Sequence, residues 1–252
     1  MDKKTSEMRE PLPSERQNVL VLSSRPWNSA MANRLNLRLD QKVQIISSPA
    51  KLRLEVVAEI DPQWIFVPHW SQLIPESIWG RWPTVIFHMT DLPYGRGGSP
   101  LQNLIQRGHS TTTLTALRCA AGLDAGDVYM KQPLDLHGSA EEIFLRTDEL
   151  IEEMIERIVN EKPKAVPQQG NPEVFSRRTP AQSNLSHCEE GSLTAWYDQI
   201  RMLDATDYPH AFLEVHGMRL EFRRVSKRND GLYADVRIFP TSPVQPLNKN
   251  QS

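Results

Sequence analysis

Four short apolar runs, spaced by segments with helical periodicity, organise the first half of the chain. They are Asn18-Val19-Leu20-Val21-Leu22, residues 42–46, Trp64-Ile65-Phe66-Val67 and residues 84–87. The first, third and fourth are apolar runs of the kind that makes a strand buried on both faces, and residues 42–46 read as the second strand. Between them, Met31, Leu35 and Leu39 recur every four residues, and so do Leu52, Val56 and Ile60; residues 74–79 make a shorter helix. Strands alternating with helices at this spacing predict an α/β fold, a Rossmann-like and mostly parallel sheet with helices on both faces.

The pattern then changes. Residues 101–108 are helical with Leu101, Leu104 and Ile105 on one side, and 111–117 and 128–136 read as strands. A long helix over 140–159 opens on Ser139 with Glu142 three residues on, a capping box, and carries a stripe of Ile143, Leu150, Ile151, Met154, Ile155 and Ile158. Three prolines within 162–172 mark an extended connector. After a helix over 193–203, alternation on either side of His216-Gly217 predicts a hairpin, with 232–239 as a third strand. The expected organisation is a polar, disordered lead-in (1–17), an α/β domain (18–161), a connector (162–192), a small subdomain of a helix and a β-hairpin (193–239) and a disordered tail (240–252). The C-terminal part is thus a short β-rich extension.

Composition narrows the function classes. A formal net charge of −2 and a pI near 6.4 provide no global basic field, so neither nucleic acid nor a membrane is an expected partner. The two cysteines, Cys119 and Cys188, lack any metal-ligand or disulfide spacing, and no metal is expected. There is no run of about 18 apolar residues and no signal-peptide core, so the expected compartment is the cytoplasm. The turn after the first strand lacks GxGxxG, which argues against a dinucleotide.

Candidate chemistry centres on His88, at the end of the fourth apolar run, ahead of the glycine-rich basic turn Gly95-Arg96-Gly97-Gly98. Asp124 lies in a second small-residue turn, Gly122-Leu123-Asp124-Ala125-Gly126-Asp127, after a later strand. Ligands of open α/β sheets bind at the carboxyl ends of strands, and both residues are expected at one such edge. A carboxylate beside an imidazole orients the ring and favours its charged form, making a proton-transfer pair. A structural histidine and a turn-forming aspartate would have the same sequence.

The segment His88-Met-Thr-Asp-Leu-Pro93-Tyr-Gly-Arg96-Gly97-Gly-Ser-Pro100 resembles the HxSLLPxxRGxxP signature of N10-formyltetrahydrofolate-dependent formyltransferases. That family includes methionyl-tRNA formyltransferase and the sugar N-formyltransferases. Asp124, 36 residues on, resembles the aspartate of the family's D-x-G loop. Residues 168–178 and Tyr208-Pro209-His210-Ala211-Phe212 resemble its connector and the entry to its C-terminal part. The resemblance implies transfer of a formyl group from N10-formyltetrahydrofolate, the one expected cofactor, to a primary amine. His88 and Asp124 match the catalytic pair. The G-R-G-x-S-P form is closer to the sugar-modifying branch. It implies a nucleotide-linked amino sugar as acceptor, of the 4-amino-4,6-dideoxy type or a pseudaminic-acid precursor, for surface glycan synthesis. A homodimer is compatible with that reading. The tRNA-modifying enzyme is the alternative, and an inactive homologue a second one.

The second alternative is prompted by Ile86, which stands where the family has an asparagine that serves as oxyanion donor. Thr90, His69 and the backbone N–H groups of residues 95–98 are candidate replacements. Val67, Pro68, His69 and Trp70, with Leu123 and Asp127, fall where the family builds its folate pocket. Arg25, Trp27 and Asn28 combine a cation, an aromatic plate and an amide after the first strand, a set that suits a nucleotide-sugar. With Thr90 and Arg96 they form the expected acceptor contacts. The basic residues Arg223, Arg224, Lys227 and Arg228 read as a solvated sheet edge.

Overall fold

The computed structural model describes residues 18–25, 28–70, 72–206 and 208–241. The expected disordered lead-in, nearly all of the tail, and Trp27 lie outside the described residues. In chain order the elements begin with β1 (Asn18–Ser23), α1 (Asn28–Arg38), β2 (Lys42–Ile46), α2 (Leu54–Ile60), β3 (Trp64–His69), α3 (Glu76–Trp79) and β4 (Thr84–His88). Next come β5 (Arg96–Gly97), α4 (Pro100–Gln106), β6 (Thr111–Arg118), β7 (Val128–Asp135) and α5 (Ala140–Glu161). The last are β8 (Val174–Phe175), α6 (Leu193–Arg201), β9 (Ala211–Val215), β10 (Met218–Arg228) and β11 (Gly231–Pro240).

A six-stranded sheet in the order β2-β1-β3-β4-β6-β7 forms the centre. Strands β2, β1, β3 and β4 are mutually parallel, whereas β6 runs antiparallel to both β4 and β7. Strands β1, β3 and β4 are largely buried on both faces, which is why their central positions are apolar. Val19, Val21, Phe66 and Val85 face the cluster that α1, α4 and α5 complete. Leu20, Leu22, Ile65 and Val67 face the one completed by Val57 of α2 and Ile78 of α3. Each such aliphatic side chain contributes about 1.5–3 kcal/mol by leaving water.

Two details of this frame matter below. Val21 pairs with Phe66, but Ser23 pairs with His69, so β3 has one residue more than β1 over this stretch. Such a bulge re-aims a side chain. Regular alternation from Phe66 would send His69 to the α2–α3 face; the extra residue turns it to the α5 face, against Phe144. Helix α5 begins at the expected capping box, in which Ser139 N–H donates to the Glu142 carboxylate at 2.7 Å. That bond, the largest cause, holds the Glu142 carboxyl below its usual range. Besides its apolar stripe, α5 buries Asp148 and Glu152. Glu152 accepts three bonds from Arg34 of α1, at 2.6, 2.8 and 3.1 Å.

Beyond the connector, β9, β10 and β11 form a separate three-stranded antiparallel sheet, so the expected third strand is present. Helix α6 packs on it through Trp196 against Phe222. No helix among the described residues is long and apolar enough to cross a membrane.

Candidate active site

His88 ends β4 and is almost fully buried. Its Nε2 lies 2.8 Å from the Gly95 carbonyl. A carbonyl oxygen only accepts, so Nε2 is the protonated nitrogen. Nδ1 then faces Asp124 Oδ2 at 3.6 Å, too long for a hydrogen bond, yet close enough that a proton arriving at Nδ1 gains a carboxylate partner at once. Asp124 is held in turn: Oδ2 accepts the Gly97 N–H at 2.9 Å, and its backbone has a left-handed φ of 46°. The sequence-predicted pair is therefore brought together.

The route to that meeting differs from expectation. Because β6 is antiparallel to β4, its carboxyl end lies beside the start of β4: Arg118 pairs with Val85, and Cys119 N–H donates to Thr84 O. Asp124 thus leaves the sheet at the edge opposite His88. The 119–127 loop turns back along β4 to reach it. Gly126 permits this return, since a Cβ there would stand 1.8 Å from the Arg118 carbonyl oxygen.

The connector closes the site, a role its composition did not disclose. Strand β8 pairs with β5 in the glycine-rich turn and puts Phe175 under Gly95 and Gly97. Gln168 donates to the carbonyls of Asp124 and Gly126, both at 2.8 Å, and accepts from Arg96 Nε and Nη2. Arg96 is accordingly a clamp between turn and connector, off the cleft. The signal that could have found Gln168 and Phe175 was present only as motif resemblance, because glutamine and phenylalanine in a proline-rich stretch have no periodicity to report.

A cleft of about 800 Å³ opens beside His88, walled by β3, α5 and the connector. Of the predicted residues, Arg25, Pro68, His69, Trp70 and His88 line it; Arg177 and Arg178 of the connector join them. Arg25 donates to the Thr206 carbonyl at 3.0 Å and lies 5.6 Å from the Phe144 ring centroid. Trp70 Nε1 and Arg178 Nε are buried and have no hydrogen-bond partner among the described residues. Burial lowers the Arg178 pKa from the ordinary arginine value. Such orphaned donors are places where a bound molecule can supply an acceptor.

Other predicted contacts are corrected by their surroundings. Asn28 is fully buried; it donates to Asp148 and accepts from Ser23, so it supports the wall rather than facing a ligand. Thr90 is fully buried and its hydroxyl donates to Gly95 O, which removes it both as an acceptor contact and as the replacement oxyanion donor. The N–H groups of Arg96, Gly97 and Gly98 are spent on Glu173, Asp124 and Phe175. Ile86 is half-buried and packs on the α2–α3 cluster, as does Val67, which is buried in it. Leu123 is exposed beside Gly97 and Asp127 is half-buried on the 119–127 loop; neither lines the cleft.

Comparison with known proteins decides the family. A solved methionyl-tRNA formyltransferase from Clostridium thermocellum is 42% identical and superimposes with a TM-score of 0.85, over 89% of this chain and 99% of that one. The chain belongs to the formyltransferase family. Residues 180–239 of this formyltransferase match the family model described as the methionyl-tRNA formyltransferase C-terminal domain. A curated methionyl-tRNA formyltransferase from Sulfurimonas denitrificans is 26% identical over 76% of this chain, and the chain spans 66% of that relative's length. A solved sugar N-formyltransferase from a Shewanella species shares the fold, with a TM-score of 0.64 at 14% identity over 84% of this chain and 98% of that one.

Proposed function

We propose that this formyltransferase moves a formyl group from N10-formyltetrahydrofolate to the primary amine of a small anionic acceptor, a nucleotide-linked amino sugar. The observation that carries the reading is the His88–Asp124 pair, whose histidine lines a cleft together with Arg25, Arg177 and Arg178. Three guanidinium groups around one cleft suit a phosphate-bearing molecule, since their planar donor arrays match phosphate oxygens.

The site has two sides. Trp70 lines the side assigned to the formyl donor, with its buried indole N–H as a ready hydrogen-bond donor, and Asp124 stands behind His88. The arginine-lined side, between α5 and the connector, is assigned to the acceptor. His88 stands between them. Its Nε2–H is committed to Gly95 O, so the ring exchanges protons through Nδ1, and Asp124 stabilises the imidazolium so formed.

A second reading, methionyl-tRNA as acceptor, is favoured by the family model over 180–239 and by the name of the 42% identical relative. Against it, two cations of the C-terminal sheet are paired within it: Arg219 with Glu214 and Glu221, and Arg224 with Asp235. Tetrahydrofolate release measured with UDP-, dTDP- and CMP-linked amino sugars and with methionyl-tRNA separates the readings. Turnover of a sugar nucleotide at least a hundredfold above that of methionyl-tRNA is expected; the reverse order replaces the acceptor. His88→Ala and Asp124→Asn are each expected to abolish turnover while the thermal midpoint stays within a few degrees. Near-wild-type rates in either variant refute the site.

A further inference from the structure

The described cleft contains a second histidine–carboxylate pair. His69 Nε2 lies 2.9 Å from Asp148 Oδ1. Asp148 is buried on α5 and accepts from Asn28 Nδ2 at 3.2 Å, while the Ser23 hydroxyl donates to Asn28 Oδ1. This chain runs from β1 through α1 to α5 and ends on one imidazole edge. A carboxylate only accepts, so Nε2 carries the ring proton and a neutral His69 keeps its lone pair on Nδ1. No group among the described residues bonds Nδ1, and the ring lines the cleft. The β3 bulge is what delivers it there, because without the extra residue the side chain would leave on the opposite face.

Position relative to His88 is equally specific. Val67 pairs with Ile86 on the neighbouring parallel strands, and two residues farther along each strand lie His69 and His88. The two imidazoles stand at the ends of neighbouring parallel strands and line one cleft. Their surroundings differ: His88 shares its Nδ1 side with Asp124, whereas His69 bonds Asp148 through Nε2 and packs on Phe144, beside which Arg25 also lies.

We infer that His69 is a catalytic proton acceptor for the incoming amine, with Asp148 as the residue that positions it. The inference rests on the formyl-transfer reading above. In the step, the amine nitrogen bonds to the formyl carbon and its proton passes to His69 Nδ1. The bond from that carbon to N10 then breaks, and N10 takes the proton that water has placed on His88 Nδ1, where Asp124 stabilises the imidazolium beforehand. The acceptor leaves formylated and tetrahydrofolate leaves protonated at N10. Both imidazoles return to their starting states by exchange with water. Two proton-handling groups, one per side, remove the need for a single histidine to serve both nitrogens.

The test uses the full chain, N10-formyltetrahydrofolate and whichever acceptor of the panel the wild-type enzyme turns over. His69→Gln is expected to lower kcat by about 10²-fold or more, with KM for the formyl donor unchanged. His69→Gly is expected to regain at least tenfold when imidazole is added. Nitrogen NMR of the labelled protein should show the His69 proton on Nε2, and in Asp148→Asn on Nδ1, since the amide can donate where the carboxylate only accepted. A raised donor KM without imidazole rescue would make His69 a folate contact and overturn the proposal. So would His69→Gln activity within threefold of wild type, or an Nδ1-protonated ring in the wild-type protein. A wild-type chain that releases no tetrahydrofolate with any amine overturns the formyl-transfer reading itself, and the role of His69 with it.

Discussion

The amide N–H of Gly97 donates to Asp124 Oδ2 at 2.9 Å, the same oxygen that faces His88 Nδ1. One carboxylate oxygen therefore reads the conformation of the glycine-rich turn and presents the result to the imidazole. Gly97 has a φ of +107°, and a Cβ there would stand 2.5 Å from the Phe175 carbonyl oxygen. Gly97→Ala is expected to cost about 2 kcal/mol or more in urea unfolding, through backbone strain and steric conflict. Tetrahydrofolate release should fall by about 10²-fold, because Asp124 loses its anchor. Wild-type turnover in this variant would show that Asp124 does not depend on the turn.

Ile86→Asn restores the residue that this family usually has two positions before its histidine. Here the isoleucine packs on the cluster containing Val67, Ile78 and Trp82. The substitution exchanges apolar contact for a half-buried amide and is expected to lower stability by about 1–3 kcal/mol, without raising turnover. A tenfold gain in kcat would show instead that the site lacks only that amide.

Cys119 sits at the start of the loop that carries Asp124, and its thiol is pushed up to about 11, first by burial and then by the negative charge of Asp124. In a Cys188→Ser background, alkylation at pH 8 is expected to be at least a hundredfold slower than in the urea-unfolded chain. Adding Asp124→Asn should speed it only a few-fold, since burial remains. The raised value also has a stability consequence. The unfolded thiol ionises near 8.5, so this contribution is fully present below that pH and is lost as pH rises toward 11. Equal alkylation rates in folded and unfolded protein would contradict the burial.

What the sequence discloses follows the range of the interaction concerned. Strands β1, β3 and β4 are legible because burial on both faces leaves nearly continuous apolar runs, and the Ser139–Glu142 capping box because it spans three residues. Direction within the sheet is not carried by composition, so β6 is legible as a strand but its antiparallel course is not, and with that course the path that takes Asp124 back to His88. The bulge that turns His69 depends on the register between β1 and β3, a property of two strands rather than one. Gln168 reaches the Asp124 loop across 44 residues of sequence. Only the motif resemblance pointed to its segment.

The same clamp by Gln168 has a consequence for how the protein comes into being. A ribosome releases the chain from its N-terminus, so all strands of the central sheet and the long helix are available before residue 168 emerges. At that stage His88 and Asp124 exist, but the hydrogen bonds that Gln168 makes to the Asp124 loop do not, and neither does the arginine wall. On the proposed function, a chain that ends before residue 168 is expected to release no tetrahydrofolate, because the Asp124 loop lacks its clamp.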